Sequence, residues 1–304
     1  MFSFNVALPN ENSFVFNTPG IFPFVKPYGI QFIHMICIGG GGAGGAGATL
    51  ASGSTGGGGG GGAAGITTGI FPADFLPDTV YVSVGAGGAG GIGAGAAGEL
   101  SAIYLLNQTS TTTNGILLSA PGGNGGGTTT TSAGGAAGTL VSAATITSMP
   151  AASIGIFTSM DGPAGALGGS EVTAPAAGVG SSVIALASSI VCGGAGGGSL
   201  GASNFRFSGG SVAATTNASG NINLPTISAG TSSTPAQAQN GTFIFAPHFV
   251  SLGGAGGAGD TTIIKPGGIG GMGSGGGGGG AGRTGFGSGN GGNGGNGIVI
   301  ISCW

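Results

Sequence analysis

Charge is what this 304-residue sequence has least of. Charged residues make up 4%, where about 25% is usual. With 4 Lys+Arg, the chain has no clustered cations to displace the counterions of a nucleic acid, so a nucleic-acid partner is excluded. With 7 Asp+Glu and 2 His scattered along it, it offers few groups to converge in a catalytic cleft, and no catalytic residues are expected. Disordered chains combine low hydrophobicity with high net charge, whereas this one is 40% hydrophobic with net charge −3. The three cysteines, Cys37, Cys192 and Cys303, form no C-x-x-C and each adjoins an apolar run. They read as buried thiols, not as a disulfide framework or a zinc site. Long apolar runs are missing too. The nearest, residues 139–160, is rich in Ser and Thr and broken by Pro150, so no membrane span is expected. MFSFNVALPNEN at the N-terminus has neither a basic nor a long apolar region. No signal peptide is expected, and an extracellular role would then mean release by lysis or assembly, not by standard secretion. No stretch carries a capped 3.6-residue apolar period, so little or no α-helix is expected.

Glycine fills the gap: 79 of 304 residues, against a usual share of about 7%. It falls in clumps, not at every third position, which excludes collagen. One module recurs, a short β-prone run leading directly into a glycine tract. Residues 30–38 (IQFIHMICI) precede GGGGAGGAG, 79–84 (TVYVSV) precede GAGGAGGIGAG, and 116–120 precede PGGNGGG. Segments 183–192 and 243–252 repeat the pattern, and the last tract, 267–297, ends in IVIISCW. Residues 1–38 differ: Phe2, Phe4, Phe14, Phe16, Phe22, Phe24, Tyr28 and Phe32 are punctuated by prolines. They read as a Phe-rich β region that pairs with 298–304 and closes a small sandwich. Residues 39–297 then form a glycine-rich body with variable loops. No polar linker separates the two, so one continuous domain, 1–304, fits equally.

The glycine tracts admit two readings. Isolated, such chains are flexible coil. Packed, they suit the polyproline-II helix, which has three residues per turn, rises about 3.1 Å per residue and points its N–H and C=O groups outward. Only glycine lets neighbouring backbones approach closely enough to bond one another. The entropy cost of ordering each residue, roughly 1–2 kcal/mol, is offset only in a cooperative bundle of many runs. About ten tracts in one chain supply such a bundle. The expected fold is therefore mainly β: sandwich-like strands plus packed glycine-rich polyproline-II helices.

Chemical motifs are few. GAGGAG from Gly85 is a literal G-x-G-x-x-G after a strand-like run, but the following GIGAG cannot hold a helix and no acid stands near position 105. It is not a dinucleotide site. Both lysines precede proline, so there is no P-loop. No cofactor and no metal are expected. His34 reads as a core or edge histidine. The dispersed carboxylates read as turn and cap residues, and the Thr-rich stretches 109–113 and 128–131 as solvated surface. The three N-x-S/T triplets, at Asn107, Asn217 and Asn240, read as chance. Aromatic residues beside the tracts are better candidates for contact. Phe71, Phe75 and Tyr104 flank two of them, Phe205-Arg206-Phe207 sets a cation between two rings, and His248 follows a proline. Arg and aromatics are the residue types that dominate binding hot spots.

The order KPYGIQFIHMICIGGGGAGGAG, TVYVSVGAGGAGG, ILLSAPGGNGGG and GNGGNGGNGIVIISCW resembles the glycine-rich domain of viral, especially bacteriophage, tail and fibre proteins. The composition is similar to that of the tail-fibre-tip adhesins of T-even-like phages. The Phe-rich start departs from those adhesins, and residues 128–246 match only in style. The resemblance implies a non-enzymatic virion surface protein whose loops recognise a host cell-surface glycan or protein. It also implies other virion proteins, of fibre or capsid, as partners; a homo-oligomer is compatible with it. Two other readings stand beside it: a purely structural minor capsid or decoration protein, and an ice-binding protein built on glycine-rich polyproline-II helices.

Overall fold

The computed structural model describes residues 12–107, 115–140, 142, 155–170, 179–180, 183–185, 191–214, 226–231, 237–244 and 249–304. Fifteen strands are seen in them. β1 (Asn12–Phe16), β2 (Gly20–Val25), β3 (Phe32–Ile38), β4 (Thr49–Leu50), β5 (Ile66–Pro72), β6 (Thr79–Val84), β7 (Ser101–Tyr104) and β8 (Ile116–Ala120) come first. β9 (Ile156–Met160), β10 (Val183–Ala185), β11 (Val212–Ala214), β12 (Phe243–Ile244), β13 (Val250–Ser251), β14 (Gly282–Arg283) and β15 (Ile298–Cys303) follow. One 3-10 turn, Ala73–Phe75, is the only helical element among the described residues. The fold is mainly β.

Two antiparallel sheets make a sandwich. One has the order β1-β15-β3-β5-β9 and the other β2-β6-β7-β8. Alternation of side chains explains their inner faces. β6 buries every second residue of TVYVSV, as a strand with one covered face must. Val80, Val82 and Val84 meet Ile33, Met35 and Cys37 of β3, with Val299, Ile301 and Phe71 filling the same core. The N-terminal phenylalanines pack around it: Phe14 meets Phe24 edge to face at 5.0 Å. β1 and β3 flank β15, but β2 crosses to the second sheet, and β5 to β9 supply the remaining strands. The sandwich thus draws on segments throughout the first 160 residues as well as on the C-terminal strand.

The glycine tracts form the other half of the molecule, and their hydrogen bonds count in threes. In the tract 39–48, Gly39, Gly42, Gly45 and Ala48 donate N–H to the carbonyls of Gly65, Gly62, Gly59 and Gly56. Gly40, Ala43 and Ala46 donate to Glu99, Ala96 and Gly93, and Gly41, Gly44 and Gly47 to Gly295, Gly292 and Gly289. A strand would repeat every two residues; a repeat of three on both partners is the polyproline-II helix. The same tract accepts bonds from Gly123 and Gly126, from Gly276, Gly279 and Gly282, and from Gly88. Three neighbours receive its N–H groups and three supply its carbonyls, so it has six neighbours around it. The tract 56–65 is embedded likewise. It donates in threes to 121–131, 163–169 and 273–279, and accepts from 39–48, 135–138 and 194–197. Every polar backbone group that a buried tract carries must find such a partner.

The reason for glycine is proximity, not turning. Only Gly20, Gly29, Gly53, Gly115, Gly273, Gly285 and Gly287 among the described glycines have positive φ, and they sit at turns, a strand start or a tract end. Within the tracts the constraint is steric: a Cβ on Gly44 would lie 2.0 Å from the carbonyl oxygen of Gly277. The thiols of Cys37, Cys192 and Cys303 are free and buried. Burial pushes the Cys192 thiol up to about 12 and that of Cys303 to about 11.

Candidate recognition tip

Tract directions give the molecule two ends. The tract 39–48 leaves β3, and 56–65 runs back beside it into β5, so the turn 49–55 lies at the end away from the sandwich. The tract following β6 goes out and returns as 95–99 into β7, turning at 91–94. The tract after β8 runs out alongside 39–48, turns at 128–133 and returns beside 56–65. The tracts 193–200, 253–259 and 274–282 also run outward, and the last returns as 289–297 into β15. Turns 201–206, 260–264 and 283–288 therefore join 49–55, 91–94 and 128–133 at one tip.

Buried charge ties these turns together. Arg283, 8% exposed, donates Nε to Asn204 Oδ1 at 3.0 Å, one terminal nitrogen to the Gly201 carbonyl at 2.9 Å, and the other to the Gly53 carbonyl. One guanidinium thus bridges three turns, and no carboxylate among the described residues pairs with it. Asn204 has φ +61°, the left-handed conformation that a short amide side chain tolerates at a tight turn. Asp260 is buried at the same end, its N–H donating to the Ala281 carbonyl at 3.0 Å. Its Oδ2 lies 3.2 Å from Lys265 Nζ and its Oδ1 3.6 Å from Arg206. Thr262 donates its N–H and its hydroxyl to the same Oδ1. Burial pushes the Asp260 carboxyl up, but these donors and cations outweigh it and hold its pKa below the ordinary carboxylate value.

The sequence-derived candidates separate in space. Phe205, Arg206 and Phe207 do lie at the tip. Phe205 is 67% exposed, Phe207 is half-buried, and Arg206 donates to Thr261 Oγ1 at 2.8 Å. Phe71 does not belong with them. It sits on β5 with its ring fully buried in the sandwich, 5.2 Å edge to face from Phe157. It faces inward because it is opposite Ile33, a core residue of β3. Phe75 is exposed, but on the 3-10 turn beside Gln31, at the sandwich end. Tyr104 is half-buried on the outer face of the second sheet, opposite Tyr81, and burial raises its pKa. His248 lies outside the described residues. His34 is half-buried on β3, its Nε2 2.7 Å from Thr68 Oγ1.

A sequence model of the family described as the glycine-rich domain matches residues 17–304. The chain belongs to the glycine-rich domain family. The match starts between β1 and β2 and runs through β15, so the glycine-rich domain here includes every sandwich strand but β1, as well as the tracts they lead into. Among curated proteins, none shows significant sequence similarity to the chain. No helix among the described residues is long and apolar enough to cross a membrane. The tip of this glycine-rich domain holds residues that sequence reasoning passed over: Arg283, Asp260, Lys265 and Asn204, with exposed Phe286, Ile263 and Ile264. A signal was there. GRTGFG and GDTTIIKPG are the places where charge, ring and β-branched residues interrupt otherwise continuous glycine.

Proposed function

We propose that this glycine-rich domain is a non-enzymatic virion surface protein of the fibre-tip adhesin kind, holding recognition turns at one end of a rigid lattice. The carrying observation is the one-ended topology: six turns meet at the tip, and the strands of both large sheets lie at the other end. Turns on a scaffold whose inner tracts are bonded on six sides are held in place before any partner arrives, and preorganisation lowers the entropy cost of binding. The partner in this reading is a host cell-surface glycan or protein. The sandwich end is the side that meets fibre or capsid proteins, and it carries exposed Tyr28 and Phe75 and the Phe32–Trp304 stack, with ring centroids 6.3 Å apart. Large exposed rings of this kind mark association surfaces.

That same feature favours a second reading, a structural decoration protein whose sandwich end packs into a virion lattice and whose tip has no ligand. Binding of labelled protein to intact candidate host cells separates the two. Saturable binding that blocks infection, and that is lost when residues 202–205 are replaced by a Gly-Ser linker, is the expected result. No cell binding together with tight association to other virion chains supports the structural reading instead.

A further inference from the structure

Charge in this molecule is sorted by end. Among the described residues, the tip holds Arg206, Lys265 and Arg283 against Asp260 alone. The sandwich and its junction with the tracts hold Asp74, Asp78, Glu99 and Asp161, all exposed, against Lys26 alone. Glu11 and Glu171 lie outside the described residues. A chain of net charge −3 therefore presents a basic tip. The Arg283 cation is buried among oxygen dipoles with no counter-ion among the described residues to cancel its field. Arg206 is the accessible cation, with its side chain 37% exposed.

The surroundings of that cation narrow the ligand. Phe205, beside it in the chain, is mostly exposed, and Phe286 is 53% exposed on the turn that follows Arg283. Arg283 and Asn204 bond these two turns to each other. On the same two turns Ser203 and Thr284 are exposed neutral hydrogen-bonding residues. Separated rings, neutral hydroxyls and a single reachable guanidinium suit a chain of sugar rings with one anionic group per repeat. A nucleic acid needs many more cations. A protein partner needs a patch of roughly 800 Å², whereas the large exposed apolar side chains here are few, Phe205, Phe286, Ile263 and Ile264, and are divided among three turns.

We infer that the tip binds an acidic glycan: sugar faces rest on Phe205 and Phe286, and a carboxylate or phosphate of the glycan approaches Arg206. This rests on the recognition role proposed above and specifies its ligand. The test is titration of the full chain with polygalacturonate, with dextran as the uncharged control, at low and physiological salt. Polygalacturonate binds at least tenfold more tightly than dextran and weakens with salt. Arg206→Gln lowers its affinity about tenfold, and Phe205→Ala and Phe286→Ala each several-fold. Phe75→Ala, at the sandwich end, leaves it unchanged. Both tip rings are exposed, so unchanged melting temperatures are expected and confirm that the variants fold. Equal affinity for the two polysaccharides, or full binding by both ring variants, overturns the inference. Host-cell binding that excess polygalacturonate and the tip variants leave untouched also overturns it, while the recognition role stands. Polygalacturonate binding by a protein that attaches to no cell keeps the tip's ligand class and removes the recognition role.

Discussion

At Gly278 a single methyl group would sit 2.1 Å from the carbonyl oxygen of Gly58 and 2.8 Å from the amide nitrogen of Gly197. Neither can retreat, because each belongs to a tract bonded to its own neighbours. At Gly91, on the tip, the same methyl group meets nothing within 4 Å. Gly278→Ala is therefore expected to destabilise by about 3 kcal/mol or more, at or beyond the upper end of overpacking costs. Gly91→Ala should stay within about 0.5 kcal/mol of the parent. Denaturant melts of the two variants decide the matter: equal midpoints would mean that the tracts are not held at this spacing.

The single tract is the next unit, and the C-terminal GNGGNGGNG shows how its edge is finished. Asn290, Asn293 and Asn296 recur every three residues, so all three fall on one exposed ridge of a threefold helix. Asn293 Oδ1 accepts the Gly90 N–H at 2.8 Å, and Asn296 Oδ1 accepts the Gly87 N–H at 3.1 Å. The side chains thus accept N–H groups of a tract whose carbonyls at Gly85, Gly88 and Gly91 accept from the backbone of Gly297, Gly294 and Gly291. Asn293→Ala should cost about 0.5–1.5 kcal/mol and speed hydrogen exchange at Gly90 while leaving Gly87 slow. Unchanged exchange at Gly90 would contradict the ladder. Elements of this kind differ in legibility. β6 and β8 are readable residue for residue, because TVYVSV and ILLSA are β-prone runs bounded by turn or glycine signals. β5 is not, since Gly69 interrupts ITTGIFP and a glycine tract precedes it. Phe71, between that glycine and Pro72, consequently reads as a loop residue when its register places it in the core.

For the whole molecule, two of the described groups couple stability to acid. Burial lowers the His34 pKa from 6.5, so between that value and the lower folded one the unfolded chain binds more protons. Stability should fall as pH drops through this window. Asp260 acts lower down. Its folded pKa is held below 3.8, so its contribution is present above that value and is lost as pH falls through the folded one. Thermal melts against pH should show two declines, with His34→Gln removing the upper and Asp260→Asn flattening the lower. A single decline left intact in both variants would assign acid sensitivity elsewhere. The lower decline reports on the tip, because Asp260, Lys265 and Arg206 hold turns 201–206 and 260–264 together.

Composition and local pattern supply the materials: a chain poor in charge, β-prone runs, several of period two, and glycine tracts that suit threefold packing. Those are local properties, set by side-chain size, alternation and backbone steric freedom. Long-range packing did the rest. It split the N-terminal phenylalanine strands between two sheets, brought six turns to one end, and placed Arg283 across three of them. The partners Gly53, Gly201 and Asn204 stand 230, 82 and 79 residues from Arg283. No local pattern encodes contacts at such separations. They follow from which tracts run outward beside one another, and that is settled only when every backbone group in the lattice has found its partner.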